Sequence, residues 1–552
     1  MQLRHYQRDS NAAIYQHFET SESNALVVLP TGSGKAPTLS VFMRDAIMAY
    51  GDTRIVSLVH SKKLVKQNFM TLLRIWPDAP VSIVNAGMGK KDFSGQIISA
   101  SIQSIYKDAY KVQRCDLLLV DEGQLIPHKD TGMYRKFISD LLVINPHMKI
   151  VIWTATPFRT DTGRLDEGEG ALCDGVCYEL GLQEAINLGW LCPLTTVPAK
   201  ERISADGIKR QGGEFNQSQI AAVASGRELI MRHAEEMVAM AFDRKHWLCF
   251  EAGVQNAIDM AEALNACGVV ARSVHSGMDD SEIEDIYRGY EEGHIHAVTN
   301  ADMLTVGADF PKTNFLGVRR LTDSAGLWIQ ICGRGTRVRY ADGFDPGTEA
   351  EGADARRDAI ERGPKRDCLV GDFAGNAARH GPLDQITGKK HFGPSGTGEA
   401  PQKTCPQCEE RMATGIRECP YCGHEFPPPD PQLLERSSRT ALLSAQIEPE
   451  TIRVKGCTYN VHTKPGKPPT LRVTYQHGLS ATQEWIAFGH QGYARQKAEQ
   501  WWMKRGNLPV PANTAEAQQR AAAGELRLPS AIKVRKVGKW PEVIGYLWED
   551  VV

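Results

Sequence analysis

Over residues 1–195 short, unbroken apolar runs alternate with longer stretches in which apolar residues recur every three or four positions. Asn24–Leu29, Cys115–Val120 and Lys149–Trp153 are such runs, the pattern of strands buried on both faces. Buried strands separated by helical periods predict βαβ units and a parallel sheet. The pattern returns after about residue 225, with strands expected at Trp247–Phe250, Val269–Val274, His296–Thr299, Phe315–Val318 and Cys368–Gly371. Helices are expected between them at Gln255–Asn265 and Asp280–Glu291, whereas the stretch from Pro193 to about 225 reads as polar and irregular. At about residue 381 the composition shifts to Gly, Pro, Ser and Lys through 403, a linker. Beyond it, strand patterns at Thr451–Val461, Thr470–Tyr475 and Gln483–Phe488 precede a helix from Gly492 to about Arg505. The predicted fold is α/β, with two tandem parallel-sheet domains (1–195 and 196–380). A linker with a cysteine module (381–430) and an α+β accessory domain (431–552) follow.

A chain of 552 residues is too long for one ordinary core, which agrees with that division. A hydrophobic content of 42% and a charged content of 24% fit a globular protein. The first residues are too polar for a signal peptide and no apolar run reaches membrane-spanning length, so work in the cytoplasm without a membrane partner is expected. The net charge of −2 removes any global attraction for nucleic acid, so binding would need local grooves. Nine of the thirteen cysteines are scattered and four form two tight pairs, which suits one metal site in a reducing compartment.

Three strand ends carry polar residues of the kind a nucleotide engine needs. Leu29-Pro30-Thr31-Gly32-Ser33-Gly34-Lys35 follows the first buried run. Glycines in such a turn let backbone N–H groups close around phosphate, and the following helix N-terminus adds partial positive charge. Thr31, Gly32, Ser33, Gly34, Lys35 and Ala36 are therefore the candidate cradle, with Lys35 neutralising the β- and γ-phosphates of ATP. Read alone, the segment also fits a Gly-rich surface turn. Position 36 departs from the pattern, because Ser or Thr there would offer Mg²⁺ a hydroxyl and Ala36 offers none. Asp121 and Glu122 end the second run, on the sheet edge where ligands of parallel sheets gather. Asp121 is expected to hold Mg²⁺, and Glu122 to orient and deprotonate the attacking water. Thr154-Ala155-Thr156 ends the third run and brings hydroxyls to the same edge. Residues 196–380 hold no second phosphate loop, so they must complete the first domain's site. Gln330-x-x-Gly333-Arg334-x-x-Arg337 supplies the candidates, since an arginine reaching across a cleft raises rates by about 10³–10⁵. The spacing of three predicts both arginines on one helical face. Gly307 and Asp309 are expected beside the same cleft.

Assembled in this order, these segments resemble the superfamily II helicases over roughly residues 1–380. The resemblance implies two RecA-like domains, ATP with Mg²⁺ between them and a nucleic-acid strand across their top. It makes Gln7 the adenine-reading glutamine, Leu58–Asn68 and Ser101–Ser104 strand-gripping segments, and His275-Ser276-Gly277 and Thr305 their second-domain counterparts. The family's Asp-Glu-x-His is here Asp-Glu-Gly-Gln, so Gln124 must bridge to the threonine segment in place of a histidine. Gly371-Asp372-Phe373-Ala374-Gly375-Asn376, the cysteine cluster and the β-rich tail are similar to the RadD-type DNA-repair helicases and their phage relatives.

Cys405-Pro-Gln-Cys408 and Cys419-Pro-Tyr-Cys422, ten residues apart, suit tetrahedral Zn²⁺ held by four thiolates, a closed structural zinc ribbon. In the tail Trp485, Trp501-Trp502 and Trp540 could stack on bases, with core packing as the alternative. Lys533, Arg535, Lys536 and Lys539 form a basic strip that suits either phosphate or solvent. The leading functional expectation is an ATP-dependent DNA helicase or translocase in repair, recombination or phage replication. Its track would be single-stranded or branched DNA rather than RNA, and its partner a single-strand-binding, repair or replication protein. Two alternatives stay open: a nucleotide-responsive DNA-binding or recruitment factor with little hydrolysis, and the motor subunit of a restriction system.

Overall fold

Strand propensity and apolar continuity build two parallel sheets in tandem. The structure is a computed structural model. It describes residues 2–386, 402–404, 411–413 and 442–548, apart from breaks at 128–131, 160–162, 168–170, 206, 212–213, 302, 304–308, 465–466, 478–479, 491, 507 and 538–539. In the first sheet the strand order is Tyr178–Glu179, Ala25–Val28, Lys149–Thr154, Leu117–Asp121, Ile55–Val59, Ile97–Ser101, Val81–Asn85 and Lys90–Lys91. All pairs are parallel except the last. Successive side chains leave opposite faces. Val27, Leu119 and Trp153 pack against Phe42 and Met43 of the helix Lys35–Ala49, while Leu26, Leu118 and Ile152 meet Phe137 and Leu141 of the helix Met133–Ile144. Burial on both faces explains why these strands read as continuous apolar runs.

The second sheet is wholly parallel, in the order Leu194–Pro198, Cys368–Asp372, Phe315–Val318, Trp247–Phe250, Ala297–Asn300 and Ala271–Val274. Its central strands and the helices Val254–Ala266 and Asp280–Glu292 lie within a residue or two of expectation. Leu194–Pro198 is a correction: it adds an edge strand where an irregular stretch was expected, and the expected 195/196 division falls inside it. Its signal is weak because two threonines and a proline interrupt the apolar run, and pairing with Cys368–Asp372 decides its conformation.

The accessory region consists of two three-stranded antiparallel sheets, Glu450–Arg453 with Ala531–Val537 and Trp540–Leu547, and Gly456–Lys464 with Lys467–His477 and Ser480–Ile486. The single strand expected over Thr451–Val461 is thus two strands that enter different sheets. Trp501 and Trp502, on the helix Gly492–Met503, are buried between the sheets, so core packing is their use. This unit docks on the first lobe. Lys467 pairs with Glu167 at 2.8 Å, and the backbone at Gly492 approaches so closely that a Cβ there would lie 2.8 Å from the Val176 carbonyl. Gln446 donates to the Leu194 carbonyl (2.7 Å) and Ser444 N–H to Asp384 (2.7 Å), tying the same unit to the second sheet's edge. Among the described residues no helix is long and apolar enough to cross a membrane.

Candidate active site

The loop after Ala25–Val28 and the ends of Lys149–Thr154 and Leu117–Asp121 share one sheet edge because their strands are neighbours. Gly32 (φ +92°) and Gly34 (φ +86°) take left-handed backbone that L side chains rarely adopt, opening the loop as a phosphate cradle requires. A Cβ on Gly34 would lie 2.7 Å from Gln7 Nε2. The Gln7 amide straps the loop, donating to the Ser33 and Gly34 carbonyls (3.1 Å each) and accepting from Arg4 N–H (2.9 Å). Tyr6 adds a 2.6 Å bond to the Ser33 carbonyl. Ser33 turns its hydroxyl to the Pro30 carbonyl (2.7 Å). Lys35 begins the helix and lies 3.5 Å from Glu122 Oε1. Ala36 offers no hydroxyl, and Thr38, fully buried, donates to the Gly34 carbonyl (2.9 Å), so it does not replace the missing one.

Asp121 and Glu122 are held in opposite protonation tendencies. Burial and the adjacent Glu122 charge push Asp121 up to about 6, with Lys35 opposing. Burial also disfavours the Glu122 anion, but Lys35, Gln124 and Arg334 outweigh it and hold Glu122 below the usual range. Glu122 has left-handed backbone (φ 61°, ψ 55°), a local strain of about 1–3 kcal/mol of the kind concentrated at working sites. Gly123 makes the turn possible, since a Cβ there would collide with Ile152 Cγ2. Gln124 then bridges as expected of the missing histidine: its Nε2 donates to Glu122 Oε2 (2.7 Å), and its Oε1 accepts from the Thr154 hydroxyl (2.6 Å). Thr154 in turn accepts from Thr156 N–H at 2.9 Å.

The second lobe reaches the loop through the segment after the helix Ala325–Cys332. The backbone at Gly333 passes Thr31 so closely that a Cβ would lie 2.6 Å from Thr31 Cβ, and the Thr336 hydroxyl donates to the Thr31 carbonyl at 2.9 Å. One expectation is corrected here. Arg334 and Arg337 do not share a helical face, because the helix ends at Cys332. Gly335 takes the chain past Cys368, where a Cβ would lie 2.6 Å from the sulfur. The two arginines diverge. Arg334 is buried within electrostatic reach of Glu122; burial and then Arg337 push its guanidinium down to about 9, and Glu122 opposes. Arg337 donates to Asp309 (2.7 Å) and lays its stem along the loop, 3.6 Å from a Cβ built on Gly32. Gln330 is half-buried on the helix before them. Gly307 and Thr305 lie outside the described residues, as do Cys405, Cys408, Cys419 and Cys422.

Sequence reasoning missed a further set of contacts between the lobes. Lys62 and Lys66 of the Leu58–Asn68 segment pair with Asp280 (3.1 Å) and Glu284 (3.3 Å) on the helix Asp280–Glu292, and the Lys63 ammonium lies 4.7 Å above the Tyr287 ring. The acidic start of that helix was legible, but its partner was not.

An ATP and a Mg²⁺ fit this constellation on the donor chemistry: a cradle that a side chain would fill, a lysine, two buried carboxylates and an arginine from the second lobe. Asp121 would hold the metal, which would polarise the phosphate oxygens. Among the described residues no three His, Cys, Asp or Glu side chains gather as a metal cluster, so the ion's remaining ligands would be phosphate and water.

Residues 1–159 match the family described as type III restriction enzyme, res subunit, and residues 403–428 match the uncharacterised protein family UPF0547. IRC3 of Saccharomyces cerevisiae, provisionally named an ATP-dependent helicase, is 24% identical over 357 residues, 61% of this chain and 50% of its own length. A 51.5 kDa Lactococcus phage protein is 22% identical over 443 residues, 78% of this chain and 84% of its own length. A Vibrio vulnificus fragment provisionally assigned as the HsdR subunit of a type I restriction enzyme aligns with a TM-score of 0.48 at 20% identity, covering 68% of this chain and 65% of that one. The superfamily II helicase resemblance drawn from the motifs is borne out, and the two parallel-sheet lobes are present as expected. The chain spans about half the length of IRC3.

Proposed function

We propose that this chain is an ATP-hydrolysing DNA translocase or helicase. The observation that carries the reading is the seating of Gly333 and Thr336 on the phosphate loop, which brings Arg334 of one lobe to Glu122 of the other. ATP would bind the cradle of residues 31–36 with Lys35 on its phosphates. Asp121 would hold Mg²⁺, Glu122 would take the water's proton, and Arg334 would meet the charge developing on the γ-phosphate. Arg337, held by Asp309, would position the loop from the second lobe's side. Opening and closing of the cleft then alternates the grip on a strand. DNA is taken as the track, single-stranded or branched, because the matched family is a restriction-enzyme subunit. A role in repair, recombination or phage replication, in the cytoplasm beside a single-strand-binding or repair protein, fits the RadD-like tail.

Cys405, Cys408, Cys419 and Cys422 would hold Zn²⁺ with four thiolates, making the ribbon a structural module. The division at 195, 380 and 430 is proposed with the first boundary drawn back to Pro193, before the edge strand. Ala36 and the turned-back Thr38 favour a second reading, a nucleotide-responsive DNA-binding factor with slow hydrolysis. A DNA titration of ATPase activity in wild type, Lys35→Ala and Arg334→Ala separates the two. Stimulation in wild type that both variants lose supports the motor; a wild-type rate that DNA never raises leaves the binding factor.

A further inference from the structure

The accessory unit presents a sheet face that the motor does not use. In the sheet of Gly456–Lys464, Lys467–His477 and Ser480–Ile486, Leu471, Val473 and Tyr475 point into the core. On the opposite side Asn460, Arg472 and Trp485 stand in one register row. His462 flanks them, its ring centroid 6.4 Å from that of Trp485.

Two independent observations single out this row. Trp485 is 43% exposed, whereas Trp501 and Trp502 of the same domain are 7% and 0% exposed. One exposed indole alone would be ordinary surface. Directly across from it, however, Arg472 forms no ion pair among the described residues, and its Nε is buried without a hydrogen-bond acceptor. A guanidinium N–H withdrawn from water and left unmatched is costly, so an acceptor is owed to it. The face supplies none of the right charge. Glu484 is the only carboxylate in the three strands, and it points inward, accepting from Tyr475 (2.6 Å), Tyr546 (2.9 Å) and Trp501 (3.2 Å). An open aromatic ring beside an unmatched cation, on a strand face free of acids, complements a ligand with alternating flat rings and anionic groups.

We propose that this face binds single-stranded DNA, with a base stacked on Trp485 and the neighbouring phosphate taken by Arg472. Arg535 Nε is likewise without an acceptor, but the basic strip at Lys533 and Arg535 is a poorer candidate, because Arg535 already donates to Ser444 (3.2 Å) and stands opposite Glu542. Lys539 and the side chains of Lys536 and Trp540 lie outside the described residues. The choice of DNA over RNA rests on the motor reading; the stacking site itself does not. Because the unit contacts the first lobe through Lys467 and Gly492 and the second through Gln446, a strand held here would be tethered to both lobes by a grip separate from the nucleotide site.

The test is fluorescence anisotropy of labelled oligothymidylate with the full chain, without nucleotide, for wild type, Trp485→Ala, Trp485→Phe and Arg472→Gln. Trp485→Ala should raise Kd by about 5–100-fold, the loss of one stacked base, and Trp485→Phe should recover most of it. Arg472→Gln should weaken binding and flatten the salt slope by about one. All three variants should melt with wild type and keep its ATPase rate at saturating DNA. An unchanged Kd in Trp485→Ala overturns the proposal. So does a loss that Trp485→Phe does not restore, an equal loss on duplex of the same length, or tighter binding of oligouridylate. If wild-type hydrolysis ignores DNA while Trp485-dependent binding persists, the motor reading falls and this one stands. DNA-stimulated hydrolysis with binding indifferent to Trp485 gives the reverse.

Discussion

Replacing Gln124 with alanine should uncouple Glu122 from the threonine segment without emptying the nucleotide site. The side chain makes two short bonds, 2.7 Å to the Glu122 carboxylate and 2.6 Å from the Thr154 hydroxyl, and touches neither Lys35 nor the loop in the bonds it forms. A bond to an ionised group contributes about 1.5–3 kcal/mol and a neutral one about 1 kcal/mol. Glu122 would keep its attraction to Lys35, 3.5 Å away, so its charge survives while its orientation does not. Only the part of that energy expressed in the transition state slows turnover. We therefore expect kcat to fall about 10–100-fold, roughly 1.4–2.8 kcal/mol, with the KM for ATP within about threefold of wild type. A coupled ATPase assay over an ATP titration at saturating DNA reads both constants. Gln124→His, which keeps a bridging nitrogen, should retain most of the rate. Thr154→Val should add little to Gln124→Ala, because both cut the same relay. A Gln124→Ala enzyme with wild-type kcat, or losses that add in full in the double variant, would refute the relay.

Restoring a hydroxyl in Ala36→Thr should lower the Mg²⁺ concentration for half-maximal hydrolysis and raise the rate by about 10-fold, near 1.4 kcal/mol; an unchanged Mg²⁺ titration would show that Asp121 and the phosphates suffice. Arg334→Ala should cost about 10³–10⁵ in kcat with little recovery in Arg334→Lys, while Arg337→Ala should cost less and act partly through released Asp309; equal losses would contradict the divergence of the two side chains. Asp121 rises from 3.8 to about 6 on folding, so the native state binds the extra proton. Its contribution to the stability of the nucleotide-free protein is then full below the unfolded value and is lost as pH rises through about 6. Thermal melts should show that loss in wild type and lack it in Asp121→Asn, and Mg²⁺ affinity should fall as pH drops below about 6. Chelation should release about one zinc per chain, read with a metal-sensitive dye, without loss of ATP binding; loss of both together would make the ribbon part of the motor.

The buried strands were legible because both faces of a parallel sheet are covered, so Leu117–Asp121 and Trp247–Phe250 carry their own signal. Asp121 and Glu122 were legible for the same reason, since a strand's end fixes where its next two residues stand. The Gln124 bridge was foreseeable from chemistry, an amide having both a donor and an acceptor where histidine has two ring nitrogens.

What the chain concealed was set by other parts of the chain. Spacing alone put Arg334 and Arg337 on one helix face, yet the helix ends at Cys332, and Gly333 and Gly335 stand where Thr31 and Cys368 leave no room for a Cβ. Lys62 and Lys66 reveal no partner in their own segment, since Asp280 and Glu284 lie more than two hundred residues away. Those pairs are exposed, with lysine side chains 51% and 63% accessible, so each is worth little and breaks cheaply. On the proposed reading weak exposed pairs suit this contact, because a segment that would exchange a carboxylate for a strand's phosphate could not be held by a buried bridge. The phosphate loop and its carboxylates are thus written locally, in strand ends and loops, while the contacts between the lobes are written in pairs that only the fold brings together.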